Sequence, residues 1–175
     1  MWTLGGLVTF YVLFLIKLDT REVQIAGITS TPNEHWMKQM ARNLTMEEWG
    51  ILKPGQYLIH DGDKKFCAAF KQTLDVAGVN RVPLSPRSPW LNAFAERWIQ
   101  SVKKEVLSRM ILFGERSLRH VLSEYVAHHH TERPHQGKGN VILFPSAQAE
   151  ADGDSPIECR ERLGGLLKYY HRQVA

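Results

Sequence analysis

The stretch that decides the fold is residues 56–84, which read QYLIHDGDKKFCAAFKQTLDVAGVNRVPL. It begins with a short apolar run, residues 56–60, that stops abruptly at Asp61, as a buried strand does before a turn. Residues 64–77 carry apolar side chains at helical spacing, and residues 79–84 form a second short apolar run. A strand, a helix and a strand in this order predict a parallel crossover.

Two more strands and a helix are predicted ahead of this stretch. Residues 7–18 and 23–28 are rich in β-branched and apolar residues, and the polar residues 19–21 between them predict a tight turn. Residues 31–33 (TPN) supply the chemistry of a helix start for the segment that follows. Two early strands followed by alternating strands and helices predict an α/β fold, a mixed sheet with helices packed on it.

The run from Leu7 to Ile16 (LVTFYVLFLI) also allows a small membrane-anchored protein. It is about half as long as the roughly 20 residues that a membrane span needs. A strand covered on both faces reads as a continuous apolar run as well, and we favour this interpretation.

The composition of the chain limits the kinds of protein that it can be. The chain has 175 residues, of which 43% are apolar and 23% charged, which is enough for one ordinary core and argues against disorder or a fibre. The net charge of +4 suits a polyanionic partner. Cys67 and Cys159 lie far apart and in no metal-binding pattern, so we expect neither a disulfide framework nor a cysteine zinc site, and a cytoplasmic location.

Positive charge is concentrated between residues 81 and 104. Glu96 is the only acidic residue of this stretch, and its basic residues are Arg81, Arg87, Arg97, Lys103 and Lys104. From residue 91 to 110 the pattern predicts a long amphipathic helix with Asn92, Glu96 and Lys103 in one narrow arc. A carboxylate with a lysine two turns later could hold a hard metal ion and a phosphate, although the same residues are also typical of a solvated helix face.

Asp61 is open to two interpretations. An Asp after a strand often caps the next helix or shapes a turn. In open α/β sheets, however, functional groups gather beyond the carboxyl ends of the strands, where Asp61 is expected. If the Glu96 helix packs beside that strand end, two carboxylates converge on one cleft and form a Mg²⁺ site for phosphoryl transfer.

Three ordered segments resemble the integrase core of insertion-sequence transposases. They are residues 57–66 (YLIHDGDKKF), residues 83–97 (PLSPRSPWLNAFAER) and residues 132–137 (ERPHQG). The resemblance is to the DDE family, and it implies a ribonuclease H-like fold that binds Mg²⁺ or Mn²⁺ through two Asp and one Glu.

By this resemblance, Asp61 matches the second family carboxylate and Glu96 the third, so both are the expected catalytic and metal-binding residues. The 34 residues between them are close to the usual spacing in the family. Lys103 matches the lysine that contacts DNA, and Asn92 and Arg87 are expected to contact DNA beside it.

The first family Asp has no counterpart in this sequence. We therefore expect an integrase-type core at residues 1–147 that is truncated at its N-terminus, with its first strand missing or incomplete, followed by a tail at residues 148–175. The expected function is that of a DDE-type transposase, a DNA nucleotidyltransferase, which is catalytically incomplete as this fragment. The alternative is a non-catalytic DNA-binding or assembly remnant of a transposase.

The partner expected from the resemblance is DNA. Homo-oligomerisation stays open, and neither a membrane nor a small-molecule substrate is expected. Further along the chain, Ser117 is expected to cap a helix that runs through His130, with mainly surface or phosphate-facing histidines. The Arg133-Pro134-His135 segment is expected to tie that helix to the core or to contact phosphate.

Overall fold

The computed structural model describes residues 1–3, 5–84, 92–145 and 155–172. In these ranges the strands pair two by two into small sheets, and α-helices lie between them along the chain. The predicted α/β class is thus confirmed. A continuous ribonuclease H-like sheet stays a prediction.

The elements are named here in chain order. The strands are β1 (Trp2–Thr3), β2 (Gly6–Leu7), β3 (Tyr11–Ile16), β4 (Val23–Thr29), β5 (Tyr57–His60), β6 (Asn80–Pro83), β7 (Pro134–His135), β8 (Val141–Ile142), β9 (Ile157–Arg162) and β10 (Leu167–Arg172). The α-helices are α1 (Glu34–Leu44), α2 (Ala68–Val76), α3 (Ala93–Val102) and α4 (Gly114–Thr131). A π-helical turn, Lys103–Leu107, follows α3 directly.

The chain divides into two compact units. The first, called the strand–helix unit here, comprises residues 8–15 and 25–98. The second, called the C-terminal unit, comprises residues 1–7, 16–24 and 99–175. Each is described by itself below.

In the strand–helix unit, β5 and β6 are parallel, with Tyr57 opposite Asn80 and His60 opposite Pro83. Helix α2 connects the two strands, so the predicted parallel crossover is confirmed. The helix begins at Ala68, four residues later than the sequence pattern suggests, and residues 61–67 ahead of it are not helical. Helix α1 begins after Asn33, whose side-chain oxygen accepts a hydrogen bond from Trp36 N at 2.9 Å, as the sequence predicts.

The core of this unit lies between α1 and α2. It is a cluster of seven buried residues, namely Met37, Ala41, Leu44, Leu52, Phe70, Leu74 and Val79. Leu13 and Leu15 of β3 pack against this cluster. Because successive side chains of a strand point to opposite faces, Phe14 lies on the other face of β3, where it meets Trp98 of α3.

The N-terminal segment departs from its predicted form. The sequence suggests one strand from Leu7 to Leu18, but β3 begins only at Tyr11. Gly6 adopts a positive φ of 108°, and β2 pairs antiparallel with β1. The described residues contain no helix that is long and apolar enough to cross a membrane.

The C-terminal unit is organised around α4. This helix begins at Gly114, so the expected cap at Ser117 is wrong, and Ser117 lies within the first turn. One face of α4 is buried through Leu118, Val121, Leu122, Tyr125, His128 and His129. Val102 and Val106, four residues apart in α3 and the π-helical turn, are buried as well.

The chain end folds as a β-hairpin. Strands β9 and β10 are antiparallel, with Arg162 opposite Leu167. Leucines in this segment recur at helical spacing, but Leu163, Gly164 and Gly165 all adopt positive φ values, which no helix tolerates. The two glycines, which weaken the helix pattern in the sequence, are the residues that form the turn.

Candidate active site

Asp61 lies immediately beyond the carboxyl end of β5, as the sequence predicts. It is exposed, and its backbone is held from two sides. Leu84 N donates to His60 O at 2.9 Å, and His60 Nδ1 lies 2.7 Å from Asp61 O. Asp63 N donates to Asp61 Oδ1 at 3.2 Å, so the carboxylate also shapes the turn that follows the strand.

A charged pair, Lys65 and Asp63, lies just after Asp61. Lys65 Nζ is 2.9 Å from Asp63 Oδ2 and 5.2 Å from the centre of the Tyr11 ring. The backbone N–H of Lys65 and its ammonium group hold the pKa of Asp63 below its ordinary value. Hydrogen bonding to Asp63, and the charge of nearby Asp61, raise the pKa of Lys65. Nothing in the strand and helix pattern of the sequence singles out Lys65 as the partner of Asp63.

Glu96 is in the first turn of α3 and is exposed. Two residues later Trp98 is buried, with 4% of its surface exposed, and its ring lies against Phe14 at 4.4 Å between centroids. Residues two apart on a helix point about 200° apart, so burying Trp98 turns Glu96 outward. Asp61 and Glu96 belong to the same strand–helix unit.

The expected DNA contacts have different surroundings. Asn92 is half-buried just ahead of α3, and Lys103 is exposed at the start of the π-helical turn. Arg87 lies outside the described residues. Single π-helical turns occur often at functional positions, and this one also exposes Lys104.

Arg81, the first basic residue of the 81–104 stretch, is paired with a carboxylate. Its guanidinium makes two hydrogen bonds to the Asp75 carboxylate, at 2.6 and 2.8 Å. This pairing lowers the pKa of Asp75 and raises that of Arg81. Arg81 therefore links β6 to α2, while Arg97, Lys103 and Lys104 are exposed.

A buried carboxylate holds the C-terminal hairpin. Glu132, with 2% of its surface exposed, accepts hydrogen bonds from Arg162 Nε at 3.0 Å and Nη2 at 2.7 Å, and from His128 Nδ1 at 2.9 Å. Burial alone would raise the pKa of Glu132, but the bonds from Arg162 and His128 outweigh it and lower the pKa to about 2. Arg162 also donates to Glu124 at 2.9 Å. Strand β9 is thus tied to the end of α4.

Arg133 anchors the segment after α4. Its Nη1 donates to Glu105 Oε2 at 2.8 Å and to the Tyr125 hydroxyl at 2.8 Å. The Tyr125 hydroxyl in turn donates to Glu105 at 3.2 Å, and burial raises the pKa of Tyr125. This ties the segment to α4 and to the π-helical turn, which is the structural role expected for it.

The histidines of α4 are less exposed than the sequence suggests. His128 and His129 are buried, and His130 Nε2 accepts a hydrogen bond from Val23 N at 2.9 Å. Burial and neighbouring positive charge lower the pKa of His129 to about 3, and burial lowers those of His130 and His135. The expectation that these are surface histidines is therefore wrong for His128 and His129.

The donor chemistry of the site suits a hard cation. Asp61 and Glu96 are exposed carboxylates, and Mg²⁺ and Mn²⁺ prefer such oxygen ligands while retaining bound water. Across the described residues, no group of three or more His, Cys, Asp or Glu side chains could hold a metal ion. Asp61 and Glu96 are thus oxygen donors of the kind that these cations prefer.

One protein family resembles part of this chain. The family model of the integrase core domain matches residues 77–141. These residues are similar to an integrase core domain. The integrase segment begins at the end of α2 and ends at β8, and it contains Glu96, Lys103 and Arg133. Asp61 precedes it. No curated protein matches the chain.

Proposed function

We propose that this chain is core sequence of an integrase-type transposase that acts on the phosphodiester backbone of DNA. The observation that carries the proposal is the integrase core match over residues 77–141, which includes Glu96 and Lys103. The position of Asp61 beyond a parallel strand supports it, because functional groups of α/β sheets gather there.

Asp61 and Glu96 are the proposed ligands of Mg²⁺ or Mn²⁺. When bound, the cation would activate a water or a 3′-hydroxyl and neutralise charge that develops on the phosphorus. The part of the protein in this scheme is to hold two carboxylates at fixed positions. The turn at Asp61 and the packing of Trp98 below Glu96 both support that role.

DNA is the proposed partner. Lys103 is exposed and follows Glu96 by two helical turns, with Lys104 and Arg97 exposed nearby in the sequence. Exposed basic residues of this kind pair with phosphates, and their contribution is independent of base sequence. Asn92 and Arg87 are proposed as further contacts on the same segment.

Two of the three family carboxylates have counterparts here, and this limits the proposed activity. Losing one ligand of a two-metal site removes much of the affinity for at least one ion. We propose that the 175-residue chain by itself binds DNA but does not complete strand transfer. A non-catalytic DNA-binding or assembly module is the second candidate, favoured by the exposed basic residues alone.

The test compares Asp61→Asn and Glu96→Gln with Glu48→Gln, an exposed control outside the integrase segment. Mn²⁺ binding is measured as the decrease in the electron paramagnetic resonance signal of the free ion. It should weaken in the first two variants and not in the control. Equal Mn²⁺ binding in all of these proteins would contradict the metal site. DNA binding with no carboxylate-dependent Mn²⁺ binding would favour the second candidate.

A further inference from the structure

We propose that His60 is a positioning residue for Asp61, holding the backbone that presents this carboxylate. The inference rests on the proposed function, in which Asp61 binds the metal ion. His60 is the last residue of β5, and 8% of its surface is exposed. It would therefore act through Asp61 rather than by touching DNA or metal itself.

The peptide planes on both sides of the Asp61 Cα atom are fixed by hydrogen bonds. The plane before it is held because His60 O accepts from Leu84 N at 2.9 Å. The plane after it is held because Asp61 O accepts from His60 Nδ1 at 2.7 Å. Since these two planes set φ and ψ of Asp61, the direction of its side chain depends on both bonds.

An exposed carboxylate needs this kind of support. Asp61 is exposed, so neighbouring side chains cannot fix it by packing. Its Oδ1 receives one hydrogen bond, from Asp63 N at 3.2 Å, which lies at the long end of the normal range. Removing the His60 bond would free the peptide after Asp61, and each freed residue adds conformational entropy that metal binding must then overcome.

The imidazole is itself held by the core. Its ring centroid lies 5.2 Å from that of Phe66, which in turn lies 5.3 Å from Phe70. Phe70 is 1% exposed and belongs to the buried cluster between α1 and α2. A chain of ring contacts thus runs from the core to His60, and a hydrogen bond continues it to Asp61. Because Nδ1 faces a carbonyl oxygen, it is the nitrogen that carries the proton.

Two substitutions separate the hydrogen bond from the packing. His60→Phe keeps a ring beside Phe66 but has no donor. His60→Asn loses the ring but places an amide N–H close to the position of Nδ1. A purely structural role predicts that His60→Phe resembles the wild type and His60→Asn is impaired, whereas a positioning role predicts the opposite order at Asp61.

The first measurement needs no metal. Amide ¹⁵N relaxation of residues 61–63 in the full chain should show increased motion in His60→Phe and wild-type order in His60→Asn. Thermal unfolding of the same samples should rank the variants the other way, because it follows packing. Wild-type order at residues 61–63 in His60→Phe would overturn the proposal.

The second measurement uses Mn²⁺ alone as the probe. Broadening of the amide signals of residues 61–63 should need about tenfold more Mn²⁺ in His60→Phe, a loss typical for removing a residue that supports a metal ligand. His60→Asn should stay near the wild type. Equal broadening in the wild type and Asp61→Asn would refute the proposed metal site. Broadening that depends on Asp61 but is unchanged in His60→Phe would instead refute only the role of His60.

Discussion

The rings of Trp98 and Phe14 lie 4.4 Å apart between centroids, with their planes inclined by 35°. Phe14 points away from the face of β3 that Leu13 and Leu15 present to the buried cluster of α1 and α2. Strand β3 is thus covered on one face by that cluster and on the other by α3. The same contact holds the second turn of α3, directly after the exposed Glu96 of the first turn.

Trp98→Ala should destabilise the protein by about 3–5 kcal/mol, the usual range for removing a buried aromatic side chain. Trp98 is 4% exposed, so its removal leaves a cavity beside Phe14. Urea unfolding would measure the loss. Trp49→Ala is the matched control, because Trp49 is 79% exposed and should change the free energy of unfolding by less than about 0.5 kcal/mol. Equal effects of the two substitutions would contradict the role of Trp98.

Acid should destabilise the protein well above the range in which carboxylates titrate. The pKa of His129 is lowered to about 3 from an ordinary value of 6.5, so between these values the unfolded chain binds a proton that the folded chain does not. Stability is therefore fully present above pH 6.5 and is lost as pH falls. At pH 5 the loss from His129 alone should be about 2 kcal/mol.

Between pH 7 and pH 5 the loss of stability through His129 can be measured apart from the titration of Glu132. Glu132, whose pKa is lowered to about 2, loses its contribution only below its ordinary value of 4.5. Lowered pKa values at His130 and His135 act in the same direction as His129. Urea unfolding at both pH values should show a smaller difference in His129→Leu than in His120→Gln, an exposed control on the same helix. A wild-type stability that does not change across this window would rule the effect out.

Local patterns in the sequence predicted the elements that position Asp61. The apolar run before Asp61 and the glycine after α2 indicate a strand–helix–strand crossover, and β5, α2 and β6 form it. The core positions of α1 follow from helical spacing in the same way. These features depend on neighbours within a few turns of chain, which periodicity records.

Features that depend on tertiary packing or on specific side-chain contacts were not predictable in this way. Arg81 looks like part of a basic stretch until its pairing with Asp75 is seen. His129 is buried because α4 packs by the face that carries it, and nothing in three consecutive histidines shows which one faces inward. The hydrogen bond from His60 to Asp61 joins neighbours, but the imidazole that makes it also lies against Phe66, six residues further along the chain.

Lys103→Ala should weaken binding to duplex DNA with little dependence on base sequence. If Lys103 pairs with one phosphate, the slope of log affinity against log salt should become shallower by about one unit. Fluorescence anisotropy over a range of NaCl concentrations measures this slope. Lys38→Ala is the control, an exposed lysine on α1 outside the integrase segment. An unchanged slope in Lys103→Ala would remove this residue from the proposed interface.

Arg162→Ala should release the C-terminal hairpin from α4. Glu132, whose side chain is 1% exposed, would keep its bond from His128 and its ion pair with Arg160 at 3.5 Å, but it would lose the three bonds from Arg162. Leaving a buried charge without its main partner costs about 3–5 kcal/mol. Hydrogen exchange of the β9 and β10 amides should accelerate, and urea unfolding should show the loss of stability.

Arg172→Ala is the control on the same hairpin. Arg172 is exposed, and the one hydrogen bond described for its side chain is to Ser155 O. Adding Glu132→Gln to Arg162→Ala should recover part of the lost stability, since it removes the charge left behind. If Arg162→Ala behaves like Arg172→Ala, the hairpin is held by Leu167 and its apolar neighbours instead of by the buried ion pair.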